Sequence, residues 1–261
     1  MSESMNLKAL KQKVKNLKEL FLYDLKIGKA TPVLLYQMGK VGSLSIYYPL
    51  RKQYPGFVGH CHYFPNNPDA AILKLYNQEI LNSRPLNVIS LTREPIARNI
   101  SAFFQNLERY VPNSSQAGSL SIQELSEIFL AKYEHQTPLV WFHRSSKDLG
   151  IDIYAQPFPD NGIAEYHNQN IRLLIIRSEL SNQEKEGAIA KFLGLESFKI
   201  ENANIGSQKD YAQTYQEFRA KLILPHDYLQ TMSESQYFNH FYSQEFIEAT
   251  ISKWRSRLLI S

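Results

Sequence analysis

Three short stretches of this sequence carry residue types suited to chemistry on a phosphate-bearing ligand. The first is "LLYQMGKVGSLSIYY", residues 34–48. An apolar run stops at Gly39, Lys40 follows, then Gly42 and the hydroxyl residues Ser43 and Ser45. A strand that ends in a small-residue turn and leads into a helix exposes main-chain N–H groups. Those groups, with the positive end of the helix, attract a phosphate. Gly39 and Gly42 let the backbone approach closely. Lys40 adds a point charge, and Ser43 and Ser45 add hydroxyl donors. The spacing is not that of the common nucleotide loop, G-x-x-x-x-G-K-[ST].

The second stretch is "TREPIARNISAFF", residues 92–104. Arg93 falls at the end of an apolar run. Arg98 and Ser101, three apart on the helix that Pro95 opens, share a face. Guanidinium forks suit phosphate oxygens, although arginines beside such a helix also make structural ion pairs. The third is "GHCHY", residues 59–63. A histidine can take a proton from a hydroxyl near pH 7. His60 and His62 alternate on a strand, so they are expected to face opposite sides, and one of the two to see the site. A metal reading of the pair lacks obvious carboxylate partners.

These residues need strands and helices to hold them. "TPVLLYQ" (31–37), "GFVGHCHYF" (56–64), "LNVISL" (86–91) and "NIRLLIIR" (170–177) read as strands, the first and third of them buried. "GIDIYAQPF" (150–158) reads as a short extended segment. Helical patterns cover 43–53, 69–81, 94–110, 121–134, 182–195, 208–224 and 233–259, with a polar loop at 112–119. Strands alternating with helices predict an α/β fold with a mainly parallel central sheet flanked by helices and a helical C-terminal part. The first and third strands then deliver Lys40 and Arg93 to neighbouring C-terminal ends, where open α/β sheets bind ligands.

Composition limits the alternatives. With 43% hydrophobic and 21% charged residues among 261, the chain can bury a proper core. One cysteine, Cys61, excludes an intramolecular disulfide and any multi-cysteine metal site, which fits a reducing compartment. The N-terminus shows no secretory pattern, and no run approaches the roughly 18 apolar residues of a membrane span. A cytoplasmic protein is the expectation. The net charge of +4 resides in residues 1–30, where Lys8, Lys11, Lys13, Lys15, Lys18, Lys26 and Lys29 outnumber Glu3, Glu19 and Asp24. The remainder is nearly neutral, which argues against nucleic acid as a partner. Residues 5–27 form an amphipathic pattern through Leu7, Leu10, Val14, Leu17 and Phe21. This N-terminal helix is expected to pack its apolar face on a single domain spanning 31–261. Peripheral membrane contact through the same residues is the other reading.

Taken together, the loop and the Arg93–Ser101 spacing resemble those of sulfotransferases that use 3′-phosphoadenosine 5′-phosphosulfate (PAPS). In that family a lysine loop after the first strand holds the 5′-phosphosulfate, and an Arg-x-x-x-x-x-x-x-Ser motif holds the 3′-phosphate. The resemblance implies a P-loop-NTPase-like fold. It places PAPS on Gly39, Lys40, Val41, Gly42, Ser43, Leu44 and Ser45, with Arg93 and Ser101 on the 3′-phosphate. The family's usual Pro before the lysine is Gly39 here, and its usual Thr is Leu44. "GHCHY" is similar to the Gly-His segment of uronyl 2-O-sulfotransferases, which implies His60 as the base. Residues 202–218 and 237–254 resemble the tail of bacterial sulfotransferase-like proteins of capsular polysaccharide synthesis. That similarity offers Lys209 as a further phosphate contact.

The resemblance implies in-line sulfuryl transfer to a hydroxyl of a carbohydrate or glycolipid, with no metal required. Two rivals remain. An NTP-dependent kinase would need magnesium ligands and a Walker-type loop, and no clear acidic strand end is visible. A catalytically silent glycan- or nucleotide-binding protein would keep the fold alone. Arg177 and Glu179, just past the last strand, read as ion-pair or capping residues. The acceptor and the oligomeric state are not legible in the sequence.

Overall fold

The structure is a computed structural model that describes residues 2–64, 67–111, 120–201 and 212–255; in the first helix, side chains are described at position 10 and from position 12 onward. Lys209 and the loop at 112–119 lie outside the described residues.

The parallel strands are β1 (Val33–Tyr36), β2 (Val58–Cys61), β3 (Leu86–Thr92) and, later, β5 (Ile171–Arg177). Every residue of β1 and β3 is buried, as strands covered on both faces require. A fifth strand, β4 (Ile163–His167), pairs antiparallel with β5 at the sheet edge. The order is β2-β1-β3-β5-β4. The chain leaves β1 toward β2 on one side and returns to β3 on the other. The C-terminal ends of β1 and β3 therefore flank the switch point of the sheet, the position where open sheets receive ligands.

The helices are α1 (Ser2–Lys26), α2 (Leu44–Gln53), α3 (Ala70–Leu75, continued by a π-turn over Tyr76–Ile80) and α4 (Pro95–Gln105). Then come α5 (Ile122–Lys132), α6 (Thr137–Leu149), α7 (Asn182–Leu193), α8 (Ala212–Lys221), α9 (His226–Ser233), α10 (Gln236–Phe241) and α11 (Gln244–Arg255). Capping boxes Ser121–Glu124 and Ser181–Glu184 start α5 and α7, satisfying their first amides. Aromatics fill the space between α4, α5 and α8, with Phe103 in ring contact with Phe104, Phe129, Tyr133 and Phe218. The C-terminal helices are tied to the sheet. Tyr237 Oη accepts from the Arg93 amide at 3.0 Å and donates to the Arg93 carbonyl at 2.8 Å.

Two expectations are corrected. Residues 150–158 form turns, with Ile153 plugged into the core, and the extra strand is β4. The apolar stripe of α1 points away from the domain: Leu10, Val14, Leu17 and Phe21 are exposed. The helix has a second stripe, Leu20, Tyr23 and Ile27, and this one joins the core. Tyr23 is fully buried against Phe57, and Arg51 holds Glu19 at 3.1 Å. Among the described residues no helix is long and apolar enough to cross a membrane.

Candidate functional site

After β1 the chain stays buried through Gln37 and Met38, then turns at residues 39–43. Gly42 has φ +83° and Lys40 φ +73°. Ser43 then precedes the ten-residue helix α2. The loop's carbonyls are tied down from outside. Arg93 Nη1 donates to the Lys40 carbonyl at 2.6 Å, Arg98 Nε to the Gly39 carbonyl at 3.0 Å, and Ser45 Oγ to the Gly42 carbonyl at 2.7 Å. None of the described hydrogen bonds uses the amides of Val41, Gly42 or Ser43. A turn whose carbonyls are held by Arg93, Arg98 and Ser45, with the amides of residues 41–43 left out of the described hydrogen bonds at the start of a helix, has the arrangement that can cradle an anion.

The loop stands between two cavities. The larger, about 560 Å³, is lined by Val41 and Gly42 of the loop and by Arg93, Glu94 and Glu179 at the ends of β3 and β5. Helix α11 closes it with Thr250, Lys253 and Trp254. The smaller, about 300 Å³, lies among α1, α2 and α3 and contains His60, Tyr47, Arg51, Lys15 and Leu44.

His60 bridges toward the loop. Its Nε2 lies 2.8 Å from Gln37 Nε2 and 2.9 Å from Ser43 Oγ. With an amide nitrogen and a hydroxyl both directed at it, Nε2 is the accepting nitrogen. Burial, with His62 as a lesser cause, pushes the His60 imidazole down to about 4, so it is neutral at pH 7. His62 donates from Nδ1 to the Gln37 carbonyl at 2.6 Å, and burial lowers its pKa too. The two imidazoles meet edge to face with centroids 5.2 Å apart. The expected split to opposite faces fails because β2 ends at Cys61, so His62 lies beyond the alternating pleat. His62 Nε2 would stand 3.8 Å from a Cβ at Gly39, so both rings border the loop.

The second motif divides. Arg93 lines the large cavity, whereas Arg98 is buried and bonded to Asn99 and Tyr133 as well as to the loop. Ser101 is half-buried on α4, one turn past the cavity-lining Ala97, and is not among the lining residues. The hydroxyls of Ser43 and Ser45 serve His60 and the loop carbonyl in this arrangement. Glu179 accepts from the Glu94 amide at 2.8 Å and contacts Tyr242 Oη at 3.1 Å, while Arg177 bonds the Asp160 carbonyl rather than Glu179. Among the described residues no group of three or more His, Cys, Asp or Glu is placed to hold a metal ion.

Three neighbours of the loop went unassigned in the sequence: Gln37, Lys253 and Glu94. A polar Gln37 at the end of a buried strand was a visible signal. Lys253 needed knowledge of where α11 docks. Glu94 caps α4, accepting from the amides of Ile96 at 2.6 Å and Ala97 at 2.9 Å. Yet it also lines the cavity, and burial, aided by Glu179, pushes its carboxyl up to about 7. The folded value exceeds the ordinary 4.5. Its contribution to stability is therefore full below pH 4.5 and is lost as pH rises through 7. The expected loss is about 3 kcal/mol. Urea unfolding at pH 5 and pH 8 checks this. Glu94→Gln should flatten the pH dependence, and an unchanged slope would assign it to other groups.

Residues 119–243, just under half of the chain, match a family described as "Putative capsular polysaccharide synthesis protein". The matched region runs from α5 to α10 with β4 and β5. It includes Glu179 but not the 39–45 loop, His60 or Arg93. The similarity is thus to proteins of capsular polysaccharide synthesis, on the half of the chain that supports the site. Comparison with the curated proteins and with the solved structures finds no match.

Proposed function

We propose that the chain transfers a sulfuryl group from PAPS to a hydroxyl of a carbohydrate or glycolipid during capsular polysaccharide synthesis. The observation that carries this reading is the anion-cradling loop with Arg93 on one side and a neutral His60 on the other, joined through Ser43 at 2.9 Å. A donor in the large cavity would lay its phosphosulfate on the loop amides and Lys40. Its 3′-phosphate would meet Arg93, with Lys253 across the cavity and Ser101 one turn farther along α4. An acceptor hydroxyl in the small cavity would give its proton to His60 Nε2, taking over one of the bonds now made by Gln37 or Ser43. The oxygen attacks sulfur as the bond from sulfur to the bridging phosphate oxygen breaks. The bisphosphate 3′-phosphoadenosine 5′-phosphate leaves, its new charge held by Lys40 and the loop amides.

One observation favours a phosphoryl-transfer reading: Glu94 and Glu179 stand at strand ends beside the loop, where a kinase keeps magnesium ligands. Both carboxylates are engaged with backbone amides, and Glu94 is drawn toward its neutral form. Calorimetric titration separates the two. The bisphosphate is expected to bind at least about tenfold more tightly than magnesium ATP, a difference of about 1.4 kcal/mol. Binding of magnesium ATP without the bisphosphate would replace the sulfotransferase reading with the kinase.

A further inference from the structure

Helix α1 presents an apolar stripe to solvent along its described length. Leu10 is 57% exposed, Val14 59%, Leu17 61%, Phe21 67% and Leu25 51%. Such a row is the part of an amphipathic helix that is ordinarily buried. The helix cannot roll to hide it. Its opposite side is fixed by Asn16 to the Pro68 carbonyl at 3.0 Å, by Tyr23 Oη to Gln78 at 2.8 Å, and by Lys26 to the carbonyls of Arg51 and Tyr54 at 3.1 and 3.3 Å.

Charge decides what covers the stripe. At 100° per residue, the exposed Lys13 and Lys18 flank it on either side. Leu10, Val14, Leu17 and Phe21 have the 4-3-4 spacing of a coiled-coil seam, which would place Lys13 and Lys18 at the positions that face a partner helix. A parallel second copy sets Lys13 against Lys18, and an antiparallel one sets each lysine against its own counterpart. Either pairing juxtaposes like charges, which disfavours a second copy. A surface that is apolar beneath and negative above satisfies both the stripe and the lysines, as an anionic bilayer does.

We infer that α1 docks the protein on an anionic membrane surface, with Leu10, Val14, Leu17, Phe21 and Leu25 in the acyl boundary and Lys13 and Lys18 among the headgroups. The reaction proposed above is not needed for this, because binding is read without substrate. The same helix contributes Lys15 and Glu19 to the cavity that holds His60, and Leu44 and Tyr48 of that cavity are also exposed.

Vesicle sedimentation of the full chain tests the inference. With phosphatidylcholine vesicles containing phosphatidylglycerol the protein should pellet, and binding should weaken as salt is added. With phosphatidylcholine alone it should remain in the supernatant. Leu17→Glu with Phe21→Glu, both at exposed positions, should lower vesicle affinity about tenfold or more with an unchanged circular-dichroism spectrum. Lys13→Glu with Lys18→Glu should lower it comparably. Failure of the wild type to bind anionic vesicles, or binding by both variants as tight as the wild type's, overturns the inference. So does a dimer in analytical ultracentrifugation that Leu17→Glu dissociates, since the stripe would then belong to a second copy.

Discussion

His60→Ala is expected to lower the rate of labelled sulfate transfer by a factor of about 10²–10⁴, with the circular-dichroism spectrum showing the fold intact. Lys40→Ala should fall by about 10²–10³, the range for removing a group that stabilises developing charge. The pH profile adds a test specific to this site. A histidine base works only when neutral. The His60 imidazole is pushed down to about 4 by burial, so the wild-type rate should lose its base only as pH falls through 4. It should stay level from pH 5 upward, whereas an ordinary histidine would show a break near 6.5. Unchanged transfer in His60→Ala would move the base elsewhere, with His62 first in line because its ring also borders the loop. A wild type that binds the bisphosphate but transfers nothing to any glycan tested would favour the silent binding protein.

Arg98→Met should destabilise the fold by about 3 kcal/mol and reduce transfer as well. Arg98 is only 5% exposed. Its guanidinium reaches the Gly39 carbonyl at 3.0 Å, Asn99 Oδ1 at 3.1 Å and Tyr133 Oη at 2.9 Å. Asn99 in turn donates to the His135 carbonyl at 3.0 Å. Hydrogen bonds to a charged group contribute about 1.5–3 kcal/mol each, offset by the cost of burying the charge. Methionine fills much of the volume but leaves the Gly39 carbonyl and the Tyr133 hydroxyl without this partner. Gly39 begins the loop, so the loss should appear in activity before global unfolding. Urea denaturation gives the stability. A change below about 1 kcal/mol would mean that water or a neighbour replaces the guanidinium.

Much of the frame was legible because its signals are local. Three of the parallel strands, β1, β3 and β5, are largely apolar runs, and the loop at 39–45 announces itself by glycine, lysine and serine between a strand and a helix. Strand β4 escaped because "IAEYH" is short and half-exposed, with Glu165 and His167 facing out at the edge. Helix α6 escaped although Pro138 at its start and Gly150, at φ +63°, at its end mark it clearly. The outward stripe of α1 could not be read from one helix, because the sequence carries two stripes and only the docked neighbours choose between them. The site shows the same division. Lys40, Arg93 and His60 could be found from residue type and spacing. The bonds that arrange them could not: Arg93 to the Lys40 carbonyl spans 53 positions, and Tyr237 to Arg93 spans 144.

Lys40 has one more implication. Among the described residues, only Lys40 and Ser83 adopt positive φ without being glycine. A side chain in the left-handed region costs roughly 1–2 kcal/mol, and glycine would relieve it. An engineer ranking substitutions by stability alone would therefore place glycine at position 40 and delete the loop's cation in the process. Backbone ease and charge compete at this one residue, and the chain has kept the charge. A thermostabilised version of this protein should hold position 40 fixed, even where a stability score asks for the change.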